Sequence, residues 1–147
     1  MICVIQRVTD AHVKVSQQII GEINHGLVAL LAIEKEDNKA LAEKMIERIL
    51  NYRIFADEHD KMNLSLRDID GGLLLVPQFT LAADTQKGTR PSFSPAAQPS
   101  IAKPIFEATA LYAASIHSHF ASGLFGADMQ VSLCNDGPVT FTLQSRP

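Results

Sequence analysis

Two short segments carry the side chains whose types and spacing could do chemistry. Gln78-Phe79-Thr80 continues an apolar strand with a neutral amide and a hydroxyl, and Asn135-Asp136-Gly137-Pro138 places polar side chains beside a glycine and a proline. Amides, hydroxyls and backbone groups of this kind can hold and orient a substrate through hydrogen bonds. On general grounds, the second segment predicts a tight turn that joins two strands.

The usual catalytic motifs are absent from the chain, which has no G-x-S-x-G elbow, no H-E-x-x-H and neither glycine-rich phosphate-binding pattern. His117 and His119 lie two apart on a predicted helix and would point to different faces, so we interpret them as solvated or helix-end histidines. Cys134 has no histidine close in sequence, and we expect it to pack in the core. We expect neither a metal nor a cofactor. Two carboxylate pairs in polar loops are interpreted as solvated charges: Glu34 with Glu36, and Asp68 with Asp70.

The composition indicates one soluble globular domain. The chain has 147 residues, of which 46% are hydrophobic and 20% charged, enough to bury a core. The longest apolar run, Gly26–Ile33, is far shorter than the ~20 residues of a membrane span, and the first residues lack the order of a secretory signal. Cys3 and Cys134 suggest neither a disulfide framework nor a redox pair. We therefore expect a cytoplasmic protein with no membrane partner.

The net charge of −3 argues against extended nucleic-acid binding. The chain has 13 basic against 16 acidic residues, whereas a protein that neutralises many phosphates is usually basic. An RNA partner would therefore be held at a short stretch or an end, and we expect no DNA partner.

Strands are the first elements that must position the two segments. Leu73–Val76 predicts a strand that leads directly to Gln78, and Gly21 predicts a bulge or bend. Thr85–Pro99 has no periodicity, and we interpret it as an ordered functional loop. Apolar patterns predict further strands at Ile2–Arg7, His12–Val15, Ile19–Ile23, Leu27–Ile33, and a closing pair at Met129–Leu133 and Val139–Leu143.

Two main helices are predicted. Asp37 or Asn38 can cap the first, whose apolar residues recur on one face. The second lies between about Gln98 and Phe120, where Pro99 suits a first turn but Pro104 would break an interior, so its start stays open. The apolar face of the first helix comprises Leu41, Met45, Ile46, Ile49 and Leu50.

The pairing of Gln78-Phe79-Thr80-Leu81 with Asn135-Asp136-Gly137-Pro138-Val139-Thr140 resembles the two signature motifs of D-aminoacyl-tRNA deacylases. The resemblance extends over essentially the whole chain, so residues 1–147 are expected to form a single deacylase domain. It implies an α/β fold, a three-layer β/β/α arrangement with mixed, barrel-like sheets and two main helices. Further matching segments are Asn51-Tyr52-Arg53, Lys61-Met62-Asn63-Leu64, Ala82-Ala83-Asp84-Thr85, Gly88-Thr89-Arg90-Pro91-Ser92-Phe93 and Met129-Gln130-Val131-Ser132-Leu133.

The resemblance also implies a function, which is hydrolysis of the ester bond of D-aminoacyl-tRNA and of glycyl-tRNA. Gly137-Pro138 would be a cis peptide whose loop enters the pocket of a second subunit in a homodimer and excludes L-side chains, with Arg7 bracing that loop. Asn135 and Met129 would complete the substrate-binding residues, and the aminoacyl-tRNA 3′ end would be the partner. The alternative from another class is a non-catalytic module that binds nucleic acid or protein on the same fold.

Gln78, Phe79 and Thr80 would be the catalytic residues, forming the wall that meets the ester and the terminal adenosine. Backbone N–H groups near Phe79 and Thr80 could stabilise the oxyanion. Either Thr80 attacks as a nucleophile, or the 2′-hydroxyl of the terminal ribose helps to position or activate water; we favour the second. Lys87 and Arg90 could contact phosphates near the acceptor end. One departure is Pro77, where the family usually has serine, because proline offers neither an N–H nor a hydroxyl.

Overall fold

A six-stranded sheet forms most of the fold. The computed structural model describes residues 1–147, and the sheet runs in the order β2-β1-β3-β6-β7, with β8 paired to the free edge of β1. A short 3₁₀ turn, Phe79–Ala82, follows β6. The strands and helices are β1 (Ile2–Val15), β2 (Gln18–Ile23), β3 (Gly26–Ala32), α1 (Lys39–Asn51), β4 (Phe55–Ala56), β5 (Met62–Leu64), α2 (Leu66–Ile69), β6 (Gly72–Pro77), α3 (Pro99–Ile116), β7 (Phe120–Ser122) and β8 (Gln130–Gln144).

The sheet is mixed and curls until its two ends meet. β3, β6 and β7 are parallel, whereas β1 is antiparallel to β2, β3 and β8. Gly21 on β2 approaches β7 so closely that a Cβ there would lie 3.0 Å from the carbonyl oxygen of Ser122, and the register of β2 shifts beside it. The expected mixed α/β fold with a barrel-like sheet and two main helices is therefore confirmed, and α2 adds a third, one-turn helix.

The two faces of the sheet bury separate apolar clusters. One cluster packs between the sheet and helices α1 and α3, and a smaller one fills the inside of the curled sheet, around Val8, Val13 and Leu74. β3 contributes to both, which explains why its sequence is apolar without interruption. The fold therefore consists of a curled sheet with a helical layer packed against one face and a second apolar cluster enclosed by the other face.

α1 follows its predicted pattern. The side chain of Asn38 accepts a hydrogen bond of 2.9 Å from the N–H of Leu41, so Asn38 rather than Asp37 caps the helix. Asp37 is instead buried, and its carboxylate accepts a hydrogen bond from the N–H of Glu34. The predicted apolar face is confirmed, with Met45, Ile46, Ile49 and Leu50 buried.

α3 lies within the range predicted for it, about Gln98 to Phe120, and begins at Pro99, which settles the start that the sequence left open. It continues through Pro104, which was expected to break a helix interior, because a proline in the second turn removes only one backbone hydrogen bond near the helix start. It ends at Ile116, and Phe120 lies in β7. His117 leaves the helical conformation and its Nε2 lies 2.7 Å from the carbonyl oxygen of Gly71.

The prediction of a tight turn at residues 135–138 is wrong. β8 is one continuous strand, and both of its halves pair with β1 rather than with each other. Gln6 pairs with Thr140 and Val8 with Asn135, so the residues between Asn135 and Thr140 bulge outward from the sheet. Because β1 has 14 residues, β8 forms a longer ladder with β1 than its two halves could form with each other. We call residues 136–139 the Gly-Pro bulge.

A polar cluster ties the three helices together. The Arg67 guanidinium and the Tyr112 hydroxyl each donate a hydrogen bond of 2.9 Å to the carboxylate of Glu47, joining α2 and α3 to α1. Both hydrogen bonds hold the pKa of Glu47 below its ordinary value, and the bond from Arg67 has the larger effect.

Among all the helices, none combines the length and the apolar character that crossing a membrane requires.

Candidate functional site

A cleft of about 590 Å³ opens where β6 ends. Its lining is mainly apolar, and its polar side chains are the amides of Gln78 and Gln98. Apolar walls with a few placed polar groups are typical of small-molecule sites. The remaining lining residues are Val76, Pro77, Phe79, Phe93, Ala96, Ala97, Pro99, Ala102, Phe125, Gly126, Ala127, Met129 and Val131.

The predicted segment Gln78-Phe79-Thr80 forms the mouth of this cleft. Pro77 is the last residue of β6 and lies beyond Leu75, where the pairing with β7 ends, and the N–H of Gln78 then donates to the carbonyl oxygen of Leu31 at 2.8 Å. The Gln78 amide donates a hydrogen bond to the hydroxyl of Thr80, which has no other side-chain partner. No basic group contacts the Thr80 hydroxyl, so nothing in the chain activates it as a nucleophile.

Two aromatic rings stand at the mouth. Phe79 is 54% exposed, which is unusual for a phenylalanine, and its ring centroid lies 5.1 Å from that of Phe93 with the planes tilted by 58°. Phe93 was missed as a site residue by sequence reasoning. Its signal was present, because a single aromatic residue in a polar, aperiodic loop has no core to enter.

The loop before α3 is ordered by backbone hydrogen bonds, as predicted. Asp84 and Ser92 exchange two such bonds, which close residues 85–91 into a hairpin that carries Lys87 and Arg90. The following residues are held against β3, since the N–H of Ala97 donates to the carbonyl oxygen of Ile33 at 3.0 Å. The loop therefore forms one wall of the cleft and a projecting arm beside it.

Gly137 and Pro138, at the centre of the Gly-Pro bulge, are exposed, whereas Val139 is buried. The peptide bond between Gly137 and Pro138 is cis, as the resemblance implied, and Gly137 has φ +123°, a conformation that favours glycine. A Cβ on Gly137 would lie 2.7 Å from Cγ2 of Val139 and 3.0 Å from Nη2 of Arg7. No other residue type fits this position without a shift of its neighbours.

Arg7 and Asn135 hold the bulge from below. Arg7 donates through Nε to the carbonyl oxygen of Asp136 at 3.3 Å and through Nη1 to that of Ile54 at 2.9 Å, and its side chain is only 15% exposed. Asn135 donates through Nδ2 to the carbonyl oxygens of Arg7 and Val139, at 2.9 and 3.0 Å. Both side chains thus contact the bulge and lie outside the cleft.

The structure separates the predicted residues into two groups within one chain. Gln78, Phe79 and Met129 line the cleft and Thr80 follows them, whereas Arg7, Asn135, Gly137 and Pro138 form the bulge. Through its pairing with Leu31, Pro77 lies at the same position along the strands as Cys3 of β1, whereas the bulge lies beside Arg7, four residues further along β1. The bulge is also three strands away from β6. At 3.3 Å per residue and about 4.8 Å per strand, the two groups lie on the order of 15–20 Å apart. One chain does not bring its own bulge to its own cleft.

The cysteines give one correction. Cys134 is exposed, not packed in the core as expected, because the alternation along β8 turns Leu133 inward and Cys134 outward. Cys3 is buried, and burial raises the pKa of its thiol to about 12. An exposed Cys134 without a contacting base and a buried, protonated Cys3 are both poor nucleophiles.

The other candidate groups have structural contacts. His117 lies at a helix end, as interpreted, but is buried. His119 is exposed, with Nε2 3.2 Å from Asp70, and no three metal-ligating side chains converge anywhere in the chain. The four carboxylates interpreted as solvated charges are exposed or partly exposed, but two of them also have structural contacts. Asp68 accepts a hydrogen bond from the N–H of Ser65 at the start of α2, and Glu34 accepts one from the Met1 ammonium.

Comparison with known proteins identifies the family. The chain matches the family described as D-Tyr-tRNA(Tyr) deacylase over residues 4–144 and belongs to it. A protein of Nitrosococcus oceani named D-aminoacyl-tRNA deacylase is 57% identical over 147 residues, covering 100% of this chain and 95% of that protein. A solved structure named c-Myc DNA Unwinding Element Binding Protein has a TM-score of 0.94 at 37% identity, with 100% of each chain covered. Another, described as a probable eukaryotic D-amino acid tRNA deacylase, has a TM-score of 0.84 at 15% identity and 97% coverage of each chain, and it supports the fold.

Proposed function

We propose that this protein hydrolyses the ester bond of D-aminoacyl-tRNA, and of glycyl-tRNA, releasing the free amino acid and tRNA in the cytoplasm. Membership of the deacylase family over almost the whole chain supports the activity. The observation that carries the mechanism is the separation of two exposed motif segments by on the order of 15–20 Å within one chain. A homodimer in which each bulge enters the partner's cleft reunites them.

Chirality is checked by exclusion in this arrangement. The carbonyl groups of Gly137 and Pro138 accept hydrogen bonds from the substrate's α-ammonium while the ester carbonyl lies at the cleft mouth. With both ends fixed, an L-side chain points into the bulge, whereas a D-side chain points away. Contacts from Arg7 and Asn135 make the bulge stiff enough to refuse that side chain. Glycine has no side chain to refuse, so glycyl-tRNA is cleaved as well.

The chemistry needs little from side chains. An aminoacyl ester is already labile, so orientation of water by the 2′-hydroxyl of the terminal ribose supplies most of what is required. The first N–H groups of a helical turn have no partner within it, which leaves those of Phe79 and Thr80 suited to the oxyanion. The apolar cleft beside Phe79 and Phe93 suits the terminal adenosine.

The arm beside the cleft suits the tRNA backbone. Lys87 and Arg90 are exposed, and neither forms an ion pair, whereas the chain as a whole is acidic. Two cations next to the mouth contact phosphates near the acceptor end without attracting long duplexes. The overall charge of −3 is consistent with a partner held at one end.

A nucleic-acid-binding module is the second candidate, because one solved relative is named as a DNA unwinding element binding protein. A deacylation assay separates the two. The purified protein is expected to turn over D-tyrosyl-tRNA and glycyl-tRNA but not L-tyrosyl-tRNA. Binding of D-tyrosyl-tRNA without turnover would instead support the module and overturn the proposed enzyme.

Complementation tests the shared site. Phe79→Ala damages the cleft and Gly137→Ala damages the bulge, so each homodimer is expected to lose activity. Mixed dimers contain one site with both halves intact, and re-associated equal mixtures should regain about a quarter of the wild-type rate. No recovery in mixtures shown to exchange subunits would contradict a site built from two chains.

A further inference from the structure

The amide of Asn135 spans the base of the Gly-Pro bulge. Both hydrogens of its Nδ2 are donated, one to Arg7 on β1 and one to Val139 at the far end of the bulge. Its Oδ1 accepts a hydrogen bond of 3.1 Å from the Thr140 hydroxyl, which in turn accepts one of 3.3 Å from Gln6. No side-chain N–H of Asn135 is therefore left to donate to a substrate.

This side chain stands where backbone pairing is interrupted. The register between β1 and β8 jumps from Gln6–Thr140 to Val8–Asn135, so the intervening residues of β8 have no partners of their own in the ladder. The Asn135 amide connects the two edges of that gap, and Arg7 contacts the bulge at Asp136. Two side chains therefore replace the missing strand pairing.

We propose that Asn135 is a positioning residue that sets the shape of the bulge, and thereby the discrimination between D- and L-aminoacyl groups, without touching the substrate. The inference rests on the proposed function. It differs from the sequence-based expectation, which placed Asn135 among the residues that bind substrate. A substrate contact at Asn135 would affect both substrates through affinity, whereas a positioning role affects their ratio.

The test is Asn135→Asp, which keeps the shape of the side chain but sets a carboxylate oxygen against two carbonyl oxygens. The matched control is Asn51→Asp, because Asn51 also donates through Nδ2 to a backbone carbonyl, that of Glu47 at 2.8 Å, and makes no hydrogen bond to the bulge. The measurements are the melting temperature, the ratio of L- to D-tyrosyl-tRNA deacylation, and the NMR order parameter of the Gly137 amide, which reports how rigid the bulge backbone is.

For Asn135→Asp we expect the L-to-D ratio to rise by about fivefold or more, the factor that corresponds to one lost hydrogen bond of ordinary strength. The order parameter at Gly137 should fall toward the values below about 0.6 that mark flexible backbone, while Asn51→Asp should leave the ratio and the order parameter unchanged. If Asn135→Asp lowers the melting temperature and leaves the ratio and the order parameter as in wild type, the proposal is overturned.

Two further results keep the test decisive. Thr140→Val removes only the hydroxyl that donates to Asn135, so it should raise the L-to-D ratio by a smaller factor. If Asn135→Asp fails to fold, an unchanged L-to-D ratio in a folded Thr140→Val protein would count against the positioning role of Asn135. If wild type fails to cleave D-tyrosyl-tRNA, the proposed function fails, and the order parameter at Gly137 in wild type and Asn135→Asp still decides whether Asn135 holds the bulge.

Discussion

Gly137→Ala tests whether the bulge has no space for a Cβ at position 137. The alanine methyl would lie 2.7 Å from Cγ2 of Val139 and 3.0 Å from the Arg7 guanidinium, at a φ of +123° that L-residues rarely adopt. Such backbone strain costs about 1–3 kcal/mol, which for a chain of this length lowers the melting temperature by roughly 3–10 °C. If the bulge shifts to relieve the contact, D-tyrosyl-tRNA deacylation falls and L-tyrosyl-tRNA becomes a substrate.

Thermal melts and deacylation of both tyrosyl-tRNAs measure these effects. Gly88→Ala is the stability control, because Gly88 also has a positive φ, +68°, but no atom lies within 4 Å of its added Cβ. It should lose only the backbone contribution, about 1 kcal/mol. A Gly137→Ala protein with the melting temperature, the rates and the selectivity of wild type would refute the reasoning.

Four further perturbations follow from the structure. Thr80→Val should keep D-tyrosyl-tRNA deacylation within about tenfold of wild type, whereas loss of a nucleophile would cost on the order of 10⁴ or more. Lys87→Ala with Arg90→Ala should raise KM for tRNA and reduce the salt slope by about one per cation, with cleavage of D-tyrosyl-adenosine unchanged as the control. Cys134→Ala should leave deacylation unaltered, and a large loss would revive a thiol mechanism. Because the pKa of Glu47 is lowered in the folded state, its contribution to stability is present above its ordinary pKa and is lost as the pH falls through the folded pKa. Urea titrations of wild type and Glu47→Gln should therefore show a difference in the free energy of unfolding that shrinks below about pH 4–5. A difference that stays constant with pH would contradict this.

Local patterns predicted the elements whose partners lie close in sequence or whose faces are plainly apolar. A helix cap at Asp37 or Asn38 and the buried face through Leu50 follow from local residue patterns, as does the largely buried β3, and the structure selects Asn38 as the cap. The ordered loop before α3 was also predicted, because an aperiodic segment of that length inside a compact fold needs backbone hydrogen bonds of its own.

What the sequence could not reveal depended on long-range pairing. Residues 135–138 have the composition of a tight turn, and only the presence of a 14-residue β1 makes them a bulge in a continuous strand. The same pairing decides that Cys134 faces outward, since a shift of one residue exchanges the two faces of a strand. Phe93 joins Phe79 only after the loop has closed through Asp84 and Ser92.

The first half of β1 is flanked on both sides, by β3 and by β8, and Arg7 lies within that stretch, opposite Leu27. Backbone in the middle of a sheet opens only through large-scale unfolding, whereas edges and loops fray readily. The bulge that we propose as the recognition element is therefore held by one of the least mobile parts of the chain. Rejection of one enantiomer and resistance to denaturation would then depend on the same few strands, so a substitution that changes one property would also change the other.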